Sequence, residues 1–521
     1  MTTAITVDTA VLFYPRGGSA QVIRYLLREL NSRAWRTRLH AGSLGSPSDP
    51  SHAPTFYKGL DLHPFDYNTA QAAFERGQNP QGVALPFHPS YEDRGYCPDP
   101  MFSAVPPATA THLTRAWQEH LVNHRSPDAE LLHLHHLSQV QTAARHAYPA
   151  VPTVTTLHGT ELKLMDGMRQ RIRLANRIGG SLEELAHELS SNNPMRRRIA
   201  DRLATRAALD DDDATMLLAT PWEKWRHSLY WLPAMNDAAV QAGTIVTVSE
   251  HDHDLARTLL PLRQHHVPVV TNGVDTEQFR PQPMTDVERA AHLHRWLVTD
   301  PRGWCPGGKV GSIRYTDADL RRLYDIHGRL RPLLLWVGRF LDFKRVPVLL
   351  EAFAQARKIC EPAPVLLMWG GYPGECEGAH PADLAHALNI DDDVFFLGWR
   401  GHDELPAGLN CADLMVAPAV NEPFGMVYIE AMACGTPPIA TATGGPARII
   451  TSSGASANGW TVRPNNAADL AGTLIYALTY RGDRARRARN AHLHAHATYS
   501  WRTVADRYTE VYEQAASLHR I

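Results

Sequence analysis

The stretch NEPFGMVYIEAMACG, residues 421–435, decides the fold of this chain and the chemistry of its site. The Pro-Phe-Gly sequence predicts a turn, and the small residues after it predict a short helix that ends at Gly435. A helix N-terminus presents unpaired N–H groups and a partial positive charge, and Gly425 lets an anion approach the backbone without a Cβ in the way. The segment therefore predicts an anion-binding turn at the start of a helix.

Two carboxylates flank this turn. Glu422 precedes the helix and Glu430 lies one to two turns inside it, so the pair can reach opposite ends of one bound molecule. A carboxylate is a good bidentate acceptor for vicinal hydroxyls. One glutamate for a sugar, one for a ribose, and backbone amides for the phosphates between them describe a nucleotide-sugar site.

A second cluster upstream points to the same ligand. The apolar run 332–337 predicts a buried parallel strand that Gly338 interrupts, and Arg339 and Lys344 then precede a helix predicted to begin at Pro347. A cation at a helix N-terminus is unfavourable by roughly 0.3–1 kcal/mol unless an anion lies there. The pattern therefore favours a bound diphosphate over two cations that only solvate a loop.

With these residues in view, the chain resembles the retaining nucleotide-sugar glycosyltransferases of family 4. The resemblance rests on islands in the family order, most of them in the C-terminal half: HGTEL at 158–162, TNGVD at 271–275, VGRFLDFKR at 337–345, FFLGW at 395–399, CADLMVAPAVNEPFGMVYIEAMACGTPPIAT at 411–441, and Thr443-Gly444-Gly445. The closing Ser500-Trp501 also matches. One such island is weak, but six in order are specific.

The resemblance implies a role for each matching residue. Arg339 and Lys344 bind the donor diphosphate, Glu430 binds the ribose hydroxyls, and Glu422 holds hydroxyls of the donor sugar. His158, which follows an apolar run, contacts the donor sugar near the reacting carbon. The backbone of the turn and an N-terminal glycine loop complete the implied set: Phe424, Gly425, Met426, Val427, Gly17 and Gly18. The family often has Glu where this chain has Arg448, so no role is carried over to that side chain.

The implied fold is α/β with GT-B architecture, in which two doubly wound, Rossmann-like domains with helical inserts face each other across a cleft. Residues 1–280 are predicted to form the N-terminal, acceptor-side domain, with inserts at about 42–110 and 163–240, and 281–330 an extended linker. Residues 331–497 are predicted to bind the donor nucleotide, and the terminal helix in 498–521 to pack back on the first domain. The alternation of apolar runs and helical patterns supports this scheme.

Apolar runs and turn residues place the individual elements. The strands are predicted at Val11–Tyr14, 131–135, 151–157, 244–248, 333–337, 365–369, 394–397, 414–417 and 438–441. A glycine turn at 15–19 and a helix at 20–30 follow the first strand. Ser249 is predicted to cap a helix, and 498–518 to form one amphipathic helix.

Composition sets bounds on the function class. The chain has 521 residues, 44% of them hydrophobic and 20% charged, and a formal net charge of −2, which argues against a nucleic-acid partner. No charged and apolar leader and no apolar run of ~18 residues is present, so neither secretion by a signal peptide nor a membrane span is expected. Six scattered cysteines without a CxxC pair are typical of a reduced, cytoplasmic protein.

Three patterns resemble ligand sites without meeting their requirements. Residues 303–310 nearly spell a P-loop, but Val310 replaces the Ser or Thr that binds magnesium. The histidine runs at 133–136, 251–253 and 492–496 lack the partners and spacing of a closed zinc site, and the aspartate runs at 210–213 and 391–393 are predicted to be solvated polar loops. We therefore expect no metal and no cofactor other than the nucleotide-sugar substrate.

The inserts leave the acceptor open. Nine arginines lie between Arg169 and Arg206, a pattern that fits an anionic acceptor or peripheral membrane contact, although a solvated helix face is the preferred interpretation. The donor base, the sugar, the hydroxyl acceptor and the oligomeric state cannot be inferred from these residues.

The reaction implied by the resemblance is metal-independent, front-face transfer with retention, in which the leaving diphosphate oxygen takes the proton of the incoming hydroxyl. A retaining hydrolase instead needs two carboxyl groups about 5 Å apart, whereas here the second acid is assigned to the ribose. A sugar-nucleotide hydrolase or epimerase on the same fold is one alternative, distinguished by turnover without an acceptor. A non-catalytic sugar-nucleotide-binding protein is the second.

Overall fold

The computed structural model describes residues 5–82, 84, 87–93, 99–262 and 265–519. The chain divides into two compact units. Unit 1 contains the described residues up to Val270 and again those from Ala505 onward, and unit 2 is Thr271–Val504. The segment 281–330 therefore lies inside unit 2. Cys97, one of the six cysteines, lies outside the described residues.

Unit 1 is built on a six-stranded parallel sheet with the strand order β3-β2-β1-β4-β5-β6. Its strands are β1 (Thr6–Val11), β2 (Arg36–Ser43), β3 (Asp61–Asp66), β4 (Leu131–His135), β5 (Thr153–Leu157) and β6 (Thr244–Thr247). Its helices are α1 (Gly17–Ser32), α2 (Ala53–Phe56), α3 (Asn68–Glu75), α4 (Pro107–His124), α5 (Gln139–Ala147), α6 (Thr160–Ile178), α7 (Leu182–Glu188), α8 (Arg196–Arg206), α9 (Asp211–Ala219), α10 (Ser228–Val240) and α11 (Glu250–Leu259).

Unit 2 repeats this plan with the strand order β12-β11-β10-β7-β8-β9. Its strands are β7 (Leu333–Val337), β8 (Val365–Trp369), β9 (Val394–Phe396), β10 (Leu414–Ala417), β11 (Pro438–Thr441) and β12 (Trp460–Val462). Its helices are α12 (Asp286–His294), α13 (Val346–Ala356), α14 (Pro381–Ala387), α15 (Leu405–Cys411), α16 (Met426–Ala433), α17 (Pro446–Ile449), α18 (Ala467–Thr479) and α19 (Arg481–Tyr499), and α20 (Trp501–His519) continues into unit 1. The two parallel sheets confirm the predicted doubly wound α/β class.

Each sheet has one point at which the strand order reverses direction. In unit 1 this point lies between β1 and β4, and in unit 2 between β7 and β10. In open parallel sheets, ligands bind outside the carboxyl ends of the strands at such a switch point. The loops that follow β1, β4, β7 and β10 are therefore the places where functional residues are expected.

The predicted first strand, Val11–Tyr14, is wrong, because the strand is Thr6–Val11. This strand is buried although it is half polar, and the apolar run that suggested a strand follows it. Asp8 is 0% exposed. Its Oδ2 accepts hydrogen bonds from the Ser126 amide at 2.8 Å and the Tyr148 hydroxyl at 2.7 Å. Internal partners thus allow a carboxylate in a central strand.

Three strands escaped the sequence analysis. β2 reads RTRLHAGS, with no apolar run, and β3 contains Pro64, which an edge strand tolerates because its outer N–H groups need no partner. β12 has only three residues. Part of the predicted insert at 42–110 is therefore sheet.

Several helix boundaries also differ from the predictions. The glycine turn expected at 15–19 is shorter, because α1 already begins at Gly17, and α13 begins at Val346, one residue before Pro347. The helix predicted for 498–518 is interrupted at Ser500, which separates α19 from α20. The aspartates at 211–213 are not in a loop but form the first turn of α9, where carboxylates complement the helix dipole.

Helices α6 to α9 form a satellite with its own core in unit 1. Eleven buried residues form this hydrophobic cluster: Leu174, Ala175, Ile178, Leu182, Leu185, Ala186, Leu189, Ala200, Leu203, Leu217 and Trp222. Arg177 of this region pairs with Asp213. Among the described helices of the chain, none is long and apolar enough to cross a membrane.

We expect unit 1 to lose stability in mild acid because it buries neutral histidines. His133 is 0% exposed, and burial lowers its pKa to about 3. The pKa of His120 is also lowered to about 3, first by burial and then by the neighbouring His40, His124 and His63. Since both folded-state values lie below the usual value near 6.5, the unfolded chain binds more protons as the pH falls. The contribution is complete above pH ~6.5 and declines by about 1.4 kcal/mol per pH unit for His133.

Urea unfolding at pH 7 and pH 5 measures this effect. His133→Gln should reduce the pH dependence of the unfolding free energy, whereas His386→Gln, which replaces a side chain that is 83% exposed, should not. Equal pH dependence in the wild type and the His133 variant would contradict the expectation.

Candidate active site

Several of the residues predicted to bind the donor lie together at the carboxyl edge of the unit 2 sheet. Gly338 and Arg339 follow β7, and Glu422 follows β10 in the loop before α16. β7 and β10 are neighbours in register, with Leu335 opposite Met415. These residues therefore flank the switch point of the sheet, where a parallel sheet binds ligands.

The turn before α16 is held in an uncommon backbone conformation. Asn421 has φ 54° and Gly425 φ 89°, both in the left-handed region. A Cβ on Gly425 would lie 2.5 Å from the ring of Tyr428, so the absence of a side chain here also serves internal packing. Gly444 and Gly445 press against the same turn: their Cβ atoms would come within 2.6 Å of the backbone of Glu422 and Phe424. The turn is thus fixed by close backbone contact on one side.

Helix α16 begins without a side-chain cap. Its N-cap is Gly425, its first turn holds no acidic residue, and Met426 and Val427 are its first two positions. The first N–H groups of a helix have no intrahelical acceptor. The helix has eight residues and closes at Gly435, with φ 76°, as the sequence predicted. Its N-terminus has the local chemistry of an anion site, with Phe424 buried just before it.

Two carboxylates hold the two cations of the site. The Lys344 Nζ lies 2.5 Å from Glu422 Oε2, and the side chains are only 15% and 13% exposed. The Arg339 guanidinium lies 3.1 Å from Glu375 Oε1, which is 5% exposed in its side chain. These ion pairs fix the positions of both cations. Sequence reasoning missed Glu375, although its place after β8 at the same sheet edge is a usable signal.

The ribose candidate Glu430 also has a partner that the sequence analysis missed. Its Oε1 lies 2.8 Å from His402 Nε2, and the two side chains are 6% and 13% exposed. His402 lies in the loop after β9, and its ring packs against Phe279 with centroids 4.9 Å apart. The position of Glu430 inside α16 is thus fixed by a second loop from the same edge of the sheet.

In unit 1, the predicted glycines begin α1 after β1. Gly17 has φ 65°, and a Cβ placed on it would meet nothing within 4 Å. The preceding Arg16 pairs with Asp99 and lies 4.7 Å from the centre of the Tyr14 ring. A glycine is therefore favoured at position 17 by the positive φ angle and not by a lack of room for a side chain.

His158 follows β5 and belongs to a cluster of histidines at the carboxyl edge of the unit 1 sheet. Its Nε2 lies 3.0 Å from His135 Nδ1, and its ring packs against the His136 ring at an interplanar angle of 42° with centroids 4.5 Å apart. The pKa of His158 lies well below its usual range, first because of burial and then because of His136 and His133. His158 is therefore neutral at pH 7.

Glu161 anchors the backbone of His158. This carboxylate is 0% exposed. Its Oε1 accepts a hydrogen bond from the His158 amide at 2.9 Å, and its Oε2 lies 3.2 Å from His136 Nδ1. His136 has φ 67°, an unfavourable backbone angle for a residue with a side chain. Residues with strained backbone angles cluster at functional sites.

The histidine and carboxylate pattern does not form a metal centre. Within the described residues, no group of three or more His, Cys, Asp or Glu side chains has the arrangement to hold a metal ion. This includes the three histidine runs of the sequence. The histidines at the sheet edge instead pair with each other and with Glu161.

Comparison with known proteins finds a family match in the C-terminal part. Residues 328–494 match the family model described as glycosyl transferases group 1. The D-inositol 3-phosphate glycosyltransferase of Salinispora arenicola is 34% identical over 192 residues, which are 36% of this chain and 42% of that protein. The chain therefore spans less than half the length of this relative.

Solved structures resemble the whole chain at low identity. Sucrose-phosphate synthase from Thermosynechococcus elongatus has a TM-score of 0.59 and 18% identity, covering 99% of this chain and 100% of that chain. The Anabaena protein HepE in complex with UDP and glucose has a TM-score of 0.54 and 14% identity, covering 97% of this chain and 99% of that chain. This likeness, together with the two parallel sheets, gives the chain the GT-B fold.

Proposed function

We propose that this chain, which belongs through residues 328–494 to the group 1 glycosyl transferases, is a sugar transferase. It transfers a sugar from a nucleotide-diphosphate sugar to a hydroxyl acceptor with retention of configuration. The observation that carries the proposal is the cluster at the switch point of unit 2. Arg339, Lys344 and the uncapped start of α16 supply positive charge, and Glu422 and Glu430 supply acceptors for hydroxyls.

The ion pairs of the site support a diphosphate ligand. Glu422 and Glu375 form ion pairs with Lys344 and Arg339, at 2.5 Å and 3.1 Å. A diphosphate carries more negative charge than one carboxylate and can bind both cations and the amides of α16. Once the phosphates engage Lys344, the Glu422 carboxylate is released to accept hydrogen bonds from the sugar. Charge neutralisation and sugar binding are then coupled through one side chain.

The transfer step uses the same charges. As the bond between the anomeric carbon and the diphosphate oxygen breaks, negative charge grows on the leaving oxygen, and Arg339, Lys344 and the α16 amides stabilise it. On the same face of the sugar, the leaving oxygen takes the proton of the acceptor hydroxyl, whose oxygen bonds to the anomeric carbon. We propose that His158, neutral at pH 7, contacts the donor sugar during this step.

The stereochemistry of the product tests the proposal. We expect NMR of the product to show the anomeric configuration of the donor, and the rate to be nearly unchanged by EDTA, because the protein cations and amides take the place of a divalent ion. Donors and acceptors are first identified by thermal-shift screening of nucleotide diphosphates and their sugars, followed by mass spectrometry of products. An inverted product would contradict the mechanism. Sugar release that needs no acceptor would instead indicate a hydrolase or an epimerase.

A further inference from the structure

His135 is the last residue of β4, and its ring engages the ring of His158 directly. The Nδ1 of His135 lies 3.0 Å from the Nε2 of His158, a hydrogen-bond distance, and the two ring planes differ by only 24°. β4 and β5 are paired in parallel, with His135 opposite Thr156, so the sheet itself fixes the separation of the two side chains. A single hydrogen bond, with one proton, therefore joins His135 Nδ1 and His158 Nε2.

The other nitrogen of His135 decides which ring donates. His135 is 2% exposed, and its Nε2 is buried without a hydrogen-bond partner among the described residues. If His135 accepted the proton of His158, this Nε2 would carry a buried N–H without an acceptor. If His135 donates from Nδ1, the same Nε2 is a bare lone pair. Buried N–H groups without acceptors are the rarer and more costly case.

We propose that His135 is a positioning residue that donates its Nδ1 proton to His158 Nε2 and so keeps the proton of His158 on Nδ1. His158 then presents an N–H donor to its ligand. Unlike His135, His158 is only partly buried, so its ring is open to a ligand. This step rests on the proposed function: the ligand atom that would accept this hydrogen bond is an oxygen of the donor sugar.

The neighbouring histidine follows the same rule. His136 Nδ1 lies 3.2 Å from Glu161 Oε2, and since a carboxylate only accepts, His136 donates from Nδ1. Its Nε2 is also buried without a partner among the described residues. Both histidines at the end of β4 thus carry their proton on Nδ1 when neutral. His135 holds the ring of His158, and His136 bonds to Glu161, which also accepts a hydrogen bond from the His158 amide at 2.9 Å and so holds its backbone.

The tautomer restricts the chemistry of His158. A ring that carries its proton on Nδ1 and has Nε2 occupied cannot accept a proton from a substrate hydroxyl at Nδ1. His158 therefore acts as a hydrogen-bond donor and not as a general base. This agrees with a transfer in which the leaving phosphate oxygen receives the acceptor proton.

Two substitutions separate the hydrogen bond from the packing of His135. In His135→Asn, the side-chain amide can place an N–H where Nδ1 lies, whereas His135→Leu fills similar space without a donor. We expect His135→Leu to lower kcat at least about 10-fold, the size of one lost hydrogen bond, with nucleotide-diphosphate affinity within about 2-fold. His135→Asn should retain kcat within about 3-fold. Equal losses in both variants would overturn the proposal.

The tautomer of His158 can be measured directly, without an activity assay. Nitrogen NMR of the full chain labelled at histidine, with the His158 signals assigned by comparison with His158→Gln, should show His158 protonated on Nδ1. Protonation on Nε2 in the wild type would overturn the proposal, even if transferase activity is confirmed and even if His135→Leu fails to fold. Conversely, an Nδ1-protonated His158 in a chain that transfers no sugar would support the proposal for the site and reject the proposed function.

Discussion

Replacing His158 by alanine is expected to lower turnover by at least ~100-fold, about 2.7 kcal/mol of transition-state stabilisation, while nucleotide-diphosphate affinity changes less than ~5-fold. The reason is that the diphosphate candidates Arg339, Lys344 and the start of α16 all belong to unit 2, whereas His158 is proposed to contact only the sugar at the reacting carbon. A contact that strengthens as the bond breaks affects kcat more than binding.

A purely structural role for His158 predicts the opposite pattern. Loss of the contacts with His135 and His136 would lower the melting temperature, and the folded fraction would keep near-normal specific activity. Melting temperature, nucleotide affinity and turnover should therefore be measured on one preparation. His146→Ala, which replaces an exposed histidine of α5, is the control. A stable, tight-binding and fully active His158 variant would rule out the assignment.

We expect Lys344→Ala and Glu430→Ala each to weaken nucleotide-diphosphate binding by ~10–100-fold, because a buried charge-assisted hydrogen bond contributes roughly 1.5–3 kcal/mol. The first change removes a cation from the phosphates and the second removes an acceptor from the ribose. Isothermal titration of the folded variants measures both effects. Unchanged affinity in both would remove the basis of the donor site.

The ion pairs supply controls for this experiment. Lys344→Ala leaves Glu422 largely buried without its cation, so a loss of stability is expected together with the loss of binding. The double variant Lys344→Ala/Glu422→Ala should regain melting temperature without regaining affinity. Lys358→Ala and Glu351→Gln change exposed charges of the same unit, and both should bind like the wild type.

The sequence predicted the elements whose signals are local. The strand 333–337 and the turn with Gly425 were found because an apolar run and a Pro-Phe-Gly sequence have few alternative structures. β1 was misplaced because its polar residues are satisfied by Ser126 and Tyr148, which are distant in sequence. Local patterns cannot show such partners.

The same distinction applies to the candidate site. The resemblance and the turn chemistry led to Arg339, Lys344, Glu422 and Glu430, and the structure places these four around one sheet edge. Their partners Glu375 and His402, and the ring of His135 beside His158, were not predicted. Each partner lies at the end of a strand, or in the loop after it, and this strand is not the one that carries the residue it contacts. Which residues meet therefore depends on strand order and register, which the sequence leaves open.

The composition of unit 1 from two separate chain segments has a consequence for biosynthesis. Tyr508 and Tyr512 of α20 contribute hydroxyls to the buried side of β4 and β5, at 3.2 Å from Thr156 Oγ1 and 2.8 Å from His133 Nδ1. The ribosome makes these residues only after all of Thr271–Val504. The sheet of unit 1 is therefore made well before the helix that covers part of it, and until α20 is made that surface is exposed and can form non-native contacts.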